Sequence, residues 1–189
     1  RAIRAAEATT SGEIYCVVAR TSDSYFFPAA FMATIGMLAA SVALAWFAHL
    51  WWYDMSMTTF TLIQATAFAS VMLVLWAFAG LRIHLVPPGL RFRRAHDNAM
   101  KQFLARNVHI TTKRTGVLVF VSLAERYAEV VADAGIDAKV PQAAWNGIVA
   151  SLIAEARADR LAEGFEGAVK TVGTLLAEHF PVTGEDHNE

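Results

Sequence analysis

Four charged residues near the ends of two predicted strands could do chemistry. Glu125 and Arg126 lie in a predicted turn between the strands, and Asp133 and Asp137 follow the second strand. Carboxylate oxygens are the ligands that Ca²⁺ and Mg²⁺ prefer, with water in the remaining positions. We expect the three carboxylates to gather at one end of the sheet and bind a divalent cation, and Arg126 to hold phosphate through paired hydrogen bonds. The other interpretation, which the sequence alone favours, is that Glu125 and Arg126 form a solvated turn without a metal site.

The other polar residues match no recognised catalytic pattern. Two pairs of residues could supply a nucleophile and a base, namely His96 with Asp97 and Ser122 near Glu125. Neither pair stands in a GxSxG, HExxH, P-loop or GxGxxG motif. Cys16 is the single cysteine, which excludes an internal disulfide and a thiolate metal cluster, and we predict that it is a buried strand residue. The sequence therefore predicts no catalytic triad and no cofactor apart from a divalent cation such as calcium.

Two uncharged stretches dominate the first half of the chain. Residues 28–53 and 55–80 contain no Asp, Glu, Lys or Arg, and each exceeds the roughly 20 apolar residues that cross a bilayer core. Because little more than Asp54 separates them, we predict a transmembrane helical hairpin over residues 28–86. The two spans account for the 56% hydrophobic content of this 189-residue chain, whose formal net charge is -1.

Basic residues flank the predicted hairpin. Arg20 precedes it and a basic stretch follows it, whereas the connection between the spans has none, so both flanking segments should face the cytoplasm. We predict that the basic stretch binds anionic lipid headgroups through the following residues: Arg91, Arg93, Arg94, Lys101 and Arg106. Nucleic acid is not a predicted partner, because no recognised binding motif accompanies the charges.

Small residues within the spans recur at a spacing of four. Gly36 with Ala40, and Ala65 with Ala69, form faces on which a second helix can pack closely. The spans contain histidine, glutamine and hydroxyl side chains but no charge pair of the kind that marks an ion path. The sequence therefore favours helix packing over transport.

The remaining residues predict one α/β domain in two pieces. Residues 14–19 form a strand with no partner nearby, and a single strand cannot satisfy its own backbone hydrogen bonds. The next strands are predicted at residues 116–123 and 127–133. A helix over residues 92–106 joins the first two strands as a βαβ unit, which makes them parallel, and the third strand pairs antiparallel. Two amphipathic helices follow Pro141.

We therefore predict a small α/β sandwich with a mixed sheet that is split by the inserted hairpin. Residues 1–27 supply a helix and the first strand, residues 28–86 the hairpin and residues 87–181 the rest of the sandwich. Residues 182–189 are predicted to be a polar tail.

Short motifs in the soluble parts occur in the order typical of a known family. They are Thr10-Ser11-Gly12-Glu13-Ile14, Thr115-Gly116-Val117-Leu118-Val119, Glu125-Arg126, Ala134-Gly135-Ile136-Asp137, and Gly164-Phe165 in the last helix. The chain thereby resembles the TPM domain proteins, which include a thylakoid-lumen phosphatase-like protein, a photosystem II repair factor and many bacterial membrane proteins.

The resemblance implies a compact α/β sandwich that in some members binds a divalent cation, often calcium, and has weak acid phosphatase activity. The sequence departs from the family's pattern at Glu125 and Gln142, because the family has Asp at both positions.

Two hypotheses about function follow. In the first, the chain is an accessory, assembly or maintenance factor, or a subunit, of a larger complex in a bacterial inner membrane. Its partners are then membrane lipids and other membrane protein subunits. In the alternative, the chain is a divalent-metal-assisted acid phosphatase.

Overall fold

The computed structural model describes residues 2–51, 56–105 and 115–181. The chain divides into two compact units. Arg1–Ser22 with Phe92–Glu189 form the first, which we call the sheet unit, and Asp23–Arg91 form the second, which we call the hairpin unit. Asp54 of the predicted connection and the predicted tail 182–189 lie outside the described residues.

The helices and strands follow one another in a mixed order. They are α1 (Ala2–Glu7), β1 (Glu13–Ala19), α2 (Phe26–Leu50), α3 (Met57–Ala77), α4 (Ala79–Leu85), α5 (Pro88–Ala105), β2 (Gly116–Ser122), β3 (Tyr127–Ala132), α6 (Ala134–Asp137), α7 (Gln142–Arg157) and α8 (Leu161–His179).

The sheet unit contains a three-stranded mixed sheet in the order β1-β2-β3. β1 and β2 are parallel, with Glu13 opposite Gly116 and Ala19 opposite Ser122. β2 and β3 are antiparallel, with Ser122 opposite Tyr127. The pairing confirms the predicted fold class, because the isolated first strand is completed by a strand from beyond the hairpin.

Helices cover both faces of this sheet. All seven residues of β2 are buried. Val117, Val119 and Val121 point to one face and pack against residues of α7 and α8, with α1 also packed there. Leu118 and Phe120 point to the other face and pack against the α5 residues Ala99 and Phe103. The sheet unit is therefore a sandwich in which the central strand is buried along its whole length.

A glycine allows α1 to lie close to α8. A Cβ atom added at Gly173 would stand 2.7 Å from Cβ of Ala6, a separation that two carbon atoms do not adopt without movement of one helix. Because this position has no side chain, α1 can pack directly against α8.

The hairpin unit contains two long apolar helices. α2 has 25 residues and α3 has 21, which at 1.5 Å per residue gives lengths of roughly 37 and 31 Å, enough for a hydrocarbon core of about 30 Å. Both are long enough and apolar enough to cross a membrane. α3 ends before Phe78, and α4 follows as a separate short helix.

The hairpin unit has a small core of its own near one end of its long helices. Its buried residues are Tyr25, Ala29, Leu75 and Val86, with Leu90 from the first turn of α5 packed against them. Arg82 closes this end, because its guanidinium donates to the carbonyl oxygens of Leu75 at 2.7 Å, Trp76 at 2.9 Å and Ser24 at 3.4 Å. Two carbonyls in the last turn of α3 thereby gain hydrogen-bond donors from outside the helix.

Candidate functional site

A buried carboxylate lies where the parallel strands β1 and β2 end. Glu125 is 3% exposed. Its carboxylate accepts a hydrogen bond from the backbone N–H of Ser22 at 2.9 Å, from the hydroxyl of Thr21 at 3.3 Å and from the hydroxyl of Ser122. The Ser22 hydroxyl in turn donates to Oγ of Ser122 at 2.9 Å. We call Thr21, Ser22, Ser122 and Glu125 the hydroxyl cluster.

The backbone of the β2–β3 turn brings Glu125 to this position. The N–H groups of Leu123 and Ala124 donate to the carbonyls of Ala19 and Arg20, which extends the β1–β2 ladder past the strand ends. Arg126 then adopts a left-handed conformation with φ of 52° and reverses the chain into β3. The turn points the Glu125 side chain inward, while the Arg126 side chain is exposed.

The three predicted carboxylate ligands do not gather. Glu125 follows β2, whereas Asp133 follows the antiparallel strand β3, and the Asp133 N–H donates to the carbonyl of Gly116 at the start of β2. A strand of this length separates the two carboxylates by roughly 20 Å. The expectation of one shared end is therefore wrong. Glu125, Asp133 and Asp137 do not fit a single calcium ion, whose oxygen ligands lie at about 2.3 to 2.6 Å.

Asp133 and Asp137 belong instead to the short helix α6. Oδ1 of Asp133 accepts from the N–H of Ala134 at 2.6 Å, and the Asp133 carbonyl accepts from the N–H of Asp137 at 3.0 Å. The Asp133 carboxylate is thus the N-cap of α6, a helix that the sequence did not predict. Asp137 is exposed. Among the residues that the structure describes, no three His, Cys, Asp or Glu side chains are grouped to hold a metal ion.

A second polar cluster joins α5 to β3 and was not predicted. Nδ1 of His96 lies 2.9 and 3.0 Å from the two carboxylate oxygens of Glu129, and the Tyr127 hydroxyl donates to Glu129 at 3.0 Å. Burial, the charge of Glu129 and the hydrogen bond to it raise the pKa of Tyr127, so the phenol stays protonated as the donor. Tyr127 and Glu129 are two residues apart on one strand, which is the signal that could have found this pair.

The predicted lipid-binding residues have different environments along α5. Arg93, Arg94 and Lys101 are exposed, whereas Arg91 is half-buried. Arg106 lies outside the described residues. Phe92 is 45% exposed, and its ring lies against that of Tyr127 on β3, with the centroids 5.8 Å apart.

The small residues of the predicted helix-packing faces point away from the protein. Gly36, Ala40, Ala65 and Ala69 are all exposed, and a Cβ atom added at Gly36 would meet nothing within 4 Å. None of the four lines the groove of about 370 Å³ that lies between α2 and α3. It is lined by Ser41, Val42, Ala45, Trp46, His49 and Phe60. The structure thus leaves these faces open rather than using them within the hairpin.

Cys16 is half-buried on β1. Burial, followed by the charge of Glu7, raises the pKa of its thiol to about 11. The side chain is therefore a neutral thiol at physiological pH and a poor nucleophile.

Comparisons with known proteins agree with this architecture. Residues 81–175, just over half of the chain, match the TPM domain. The NMR structure of the BA42 protein from the psychrophilic bacterium Bizionia argentinensis is similar, with a TM-score of 0.57, 18% sequence identity, and coverage of 100% of this chain and 82% of that chain. This likeness concerns the fold. No curated protein sequence matches the chain.

Proposed function

The chain belongs to the TPM domain family, and from this premise we propose that it is a membrane-anchored accessory, assembly or maintenance factor of a larger membrane protein complex. The observation that carries the proposal is the outer surface of the hairpin unit, which presents large apolar side chains together with small-residue faces. Such a surface is suited to lipid and to the lateral contact of other transmembrane helices.

Apolar side chains cover both long helices. Phe31, Val42 and Trp46 on α2 and Leu62 and Leu73 on α3 are among those more than 60% exposed. A patch of this size on a protein in water would be a liability for aggregation. In a bilayer it is the surface that contacts acyl chains or neighbouring spans.

The hydroxyl cluster supports a structural role for the buried carboxylate of Glu125. Glu125 holds together the end of β1, the end of β2 and the turn before β3 through its bonds to Thr21, Ser22 and Ser122. A rigid sandwich on a membrane anchor is then a platform for contact with other subunits.

The proposal includes a location and an orientation. The chain resides in the inner membrane of a bacterium, crosses it twice, and keeps both parts of its sheet unit in the cytoplasm, because the basic residues lie on the flanks of the hairpin. Its partners are membrane lipids and other membrane protein subunits.

The test is isolation of the full chain from native membranes in a mild detergent. We expect it to be recovered with the same membrane proteins in repeated preparations. Gly36→Leu with Ala65→Leu should reduce their recovery, because the larger side chains prevent close helix approach. Leu38→Phe, a change at an exposed α2 position outside these faces, is the matched control. A monomer without enriched partners would contradict the proposal.

One observation favours a second candidate, a metal-assisted phosphatase centred on Glu125. The hydroxyl cluster lies at the carboxyl ends of parallel strands, which is where open α/β sheets bind ligands. Carboxylate and hydroxyl oxygens suit a hard cation, and the exposed guanidinium of Arg126 would bind phosphate beside it.

This candidate is tested by phosphate release from p-nitrophenyl phosphate with and without added calcium. Glu125→Gln should abolish a calcium-dependent rate. Asp137→Asn should leave it unchanged, because Asp137 lies at the other end of the sheet. Equal rates in the wild type and Glu125→Gln would exclude the role of Glu125.

A further inference from the structure

We propose that the outer edge of β3 pairs with β3 of a second copy of this chain, so that two three-stranded sheets become one continuous sheet. Within the part of the chain that the structure describes, β3 is the last strand of the sheet and no strand lies on its outer side. The inference concerns the sheet unit alone. It goes beyond the proposed function, because it depends on neither the membrane span nor a different protein.

The backbone of β3 offers hydrogen-bonding groups on its outer side. The N–H of Asp133 donates to the carbonyl of Gly116, and the backbone groups of successive strand residues point to alternate edges. The N–H and C=O groups of Ala128, Val130 and Ala132 therefore point away from β2. Every residue of β3 is partly exposed, whereas β2 is buried along its length. The outer edge of β3 is thus open to another extended backbone.

The opposite edge of the sheet, on β1, is protected. The N–H of Glu13 donates to the carbonyl of Thr115, so the N–H of Ile14 points outward, where it donates to Oε1 of Glu7 at 3.1 Å. A side chain from α1 thereby takes the place of a partner strand. Among the described residues, no side chain binds the outward N–H groups of β3 in this way, and β3 contains no proline or lysine. Pairing is therefore favoured at β3 rather than at β1.

The one charged residue of β3, Glu129, is bound within the sheet unit. Nδ1 of His96 and the hydroxyl of Tyr127 both contact its carboxylate. A charge on an edge strand discourages pairing when it is free, and these contacts hold it against α5. The Phe92 ring, 45% exposed, lies against Tyr127 and adds apolar surface beside the edge.

Charge also selects the register between two copies. In an antiparallel pair, residues that point outward on one strand face residues that point outward on the other, so the strands shift only in steps of two residues. With Val130 opposite Val130 of the second copy, Glu129 faces Val131. A shift of two residues places Glu129 opposite either Glu129 or Asp133 of the second copy, and both arrangements set like charges across the pair. The register centred on Val130 is therefore the favoured one.

A second copy fits this edge because the two edges are identical and complementary. In the register centred on Val130, each outward N–H faces an outward C=O of the other copy, and Ala128 faces Ala132. The pair buries one short strand from each side, which places the interface at the small end of the range for specific contacts. We therefore expect a weak dimer whose population depends on protein concentration.

The experiment measures the dimer dissociation constant of the full chain in mild detergent by analytical ultracentrifugation. Ala128→Pro removes an outward N–H without removing a bond within the sheet, because proline is tolerated on edge strands where the N–H faces outward. Val18→Pro is the matched control, because its N–H points outward on the protected edge of β1. Circular dichroism checks that both variants fold.

We expect Ala128→Pro to raise the dissociation constant at least about tenfold, because each copy loses a donor to the other, and Val18→Pro to leave it unchanged. In a Cys16→Ala background, Val130→Cys should form a disulfide-linked dimer on mild oxidation. Directly opposite residues of such a pair have Cα atoms about 5.5 Å apart, which a disulfide can bridge. Val131→Cys should not, because its diagonal neighbour in the second copy is about 7 to 8 Å away.

Four outcomes would overturn the inference. A monomer at every concentration would show that the edge does not pair. A dimer that persists in Ala128→Pro and dissociates in Gly36→Leu with Ala65→Leu would show association through the hairpin unit. A different protein recovered with the wild type and lost with Ala128→Pro would show that the edge binds an extended segment of that protein instead. A disulfide at position 131 rather than 130 would contradict the register.

Discussion

Side-chain hydrogen bonds in the sheet unit connect residues that are at least 100 positions apart in the sequence. In the hairpin unit, such bonds mainly connect residues within one helical turn. In the sheet unit, Thr10 donates to the carbonyl of Phe180, and Ser22 donates to Ser122. In the hairpin unit, the hydroxyls of Thr61 and Thr66 donate to carbonyls four residues earlier in α3.

This difference agrees with the proposed membrane span of the hairpin unit. A helix in lipid must satisfy its polar groups internally, because hydrocarbon offers no partners. A sandwich assembled from two distant pieces of chain can use its buried polar groups to join those pieces, at the cost of closing a long loop. The comparison leads to five predictions.

The largest effect is expected at Glu125. Glu125→Ala removes the carboxylate that accepts from the part-buried N–H of Ser22 and the buried hydroxyl of Ser122. We therefore expect a loss of about 3 kcal/mol in the free energy of unfolding of the sheet unit. Denaturant unfolding in detergent micelles, followed by circular dichroism, measures it. Glu166→Ala at an exposed position of α8 is the matched control. Equal stability of the two variants would show that the long-range bonds do not hold the sheet together.

Gly173 tests the long-range packing of α1 on α8. Gly173→Ala places a methyl group where Ala6 already lies, and we expect a loss of about 2 kcal/mol from overpacking. Gly167→Ala in the same helix meets nothing within 4 Å and should stabilise the protein by up to about 1 kcal/mol through helix propensity. The same unfolding experiment measures both variants, and opposite signs are the expected result.

The need of each strand for a partner predicted the sheet correctly. The predicted metal site was wrong because its carboxylates follow strands that end at opposite ends of the sheet. The unpaired strand at residues 14–19 needed a partner, and the parallel β1–β2 pair supplies it. The predicted antiparallel third strand already implied that its turn and its end lie at opposite ends of the sheet, so Glu125 and Asp133 could not meet. The contact of His96 with Glu129 depends on the rotation of α5 over the sheet, which helical spacing leaves open.

Arg82 is the exception within the hairpin unit, because its guanidinium reaches Ser24, which is 58 positions away. Arg82→Ala should release the end of α3 and cost about 1.5 kcal/mol, the lower range for hydrogen bonds to a charged group. Faster amide hydrogen exchange in the last turn of α3 measures it. Arg82→Lys keeps the charge but lacks the planar fork, and should fall between alanine and wild type. Unchanged amide hydrogen exchange in Arg82→Ala would show that the long-range bonds of Arg82 do not stabilise the end of α3.

The pH dependence of the free energy of unfolding tests the environment of Cys16 in the sheet unit. Its pKa is raised from 9.0 to about 11, so the folded state favours the neutral thiol. This contribution is fully present below pH 9 and is lost as pH rises from 9 to 11. By pH 10 the loss amounts to about 1 kcal/mol, after the charge of the half-buried thiolate is discounted for solvent screening. Cys16→Ala should therefore show a smaller fall in stability over this window than the wild type, and parallel curves would contradict the assignment.

The smallest effect is expected for Thr66 in the hairpin unit, and Thr10 in the sheet unit provides a matched comparison. The Thr10 hydroxyl is buried, donates to the Phe180 carbonyl at 2.8 Å and accepts from the N–H of Gly12 at 3.1 Å. Thr10→Val should cost about 1 kcal/mol, because the buried N–H of Gly12 and the part-buried carbonyl of Phe180 both lose a partner. Thr66→Val removes a bond to a carbonyl on its own exposed helix and should change stability by less than about 0.5 kcal/mol. Unfolding of the two variants in the same detergent compares them directly. Equal losses would mean that the hairpin hydroxyl has a role outside its own helix, most simply in contact with a neighbouring span.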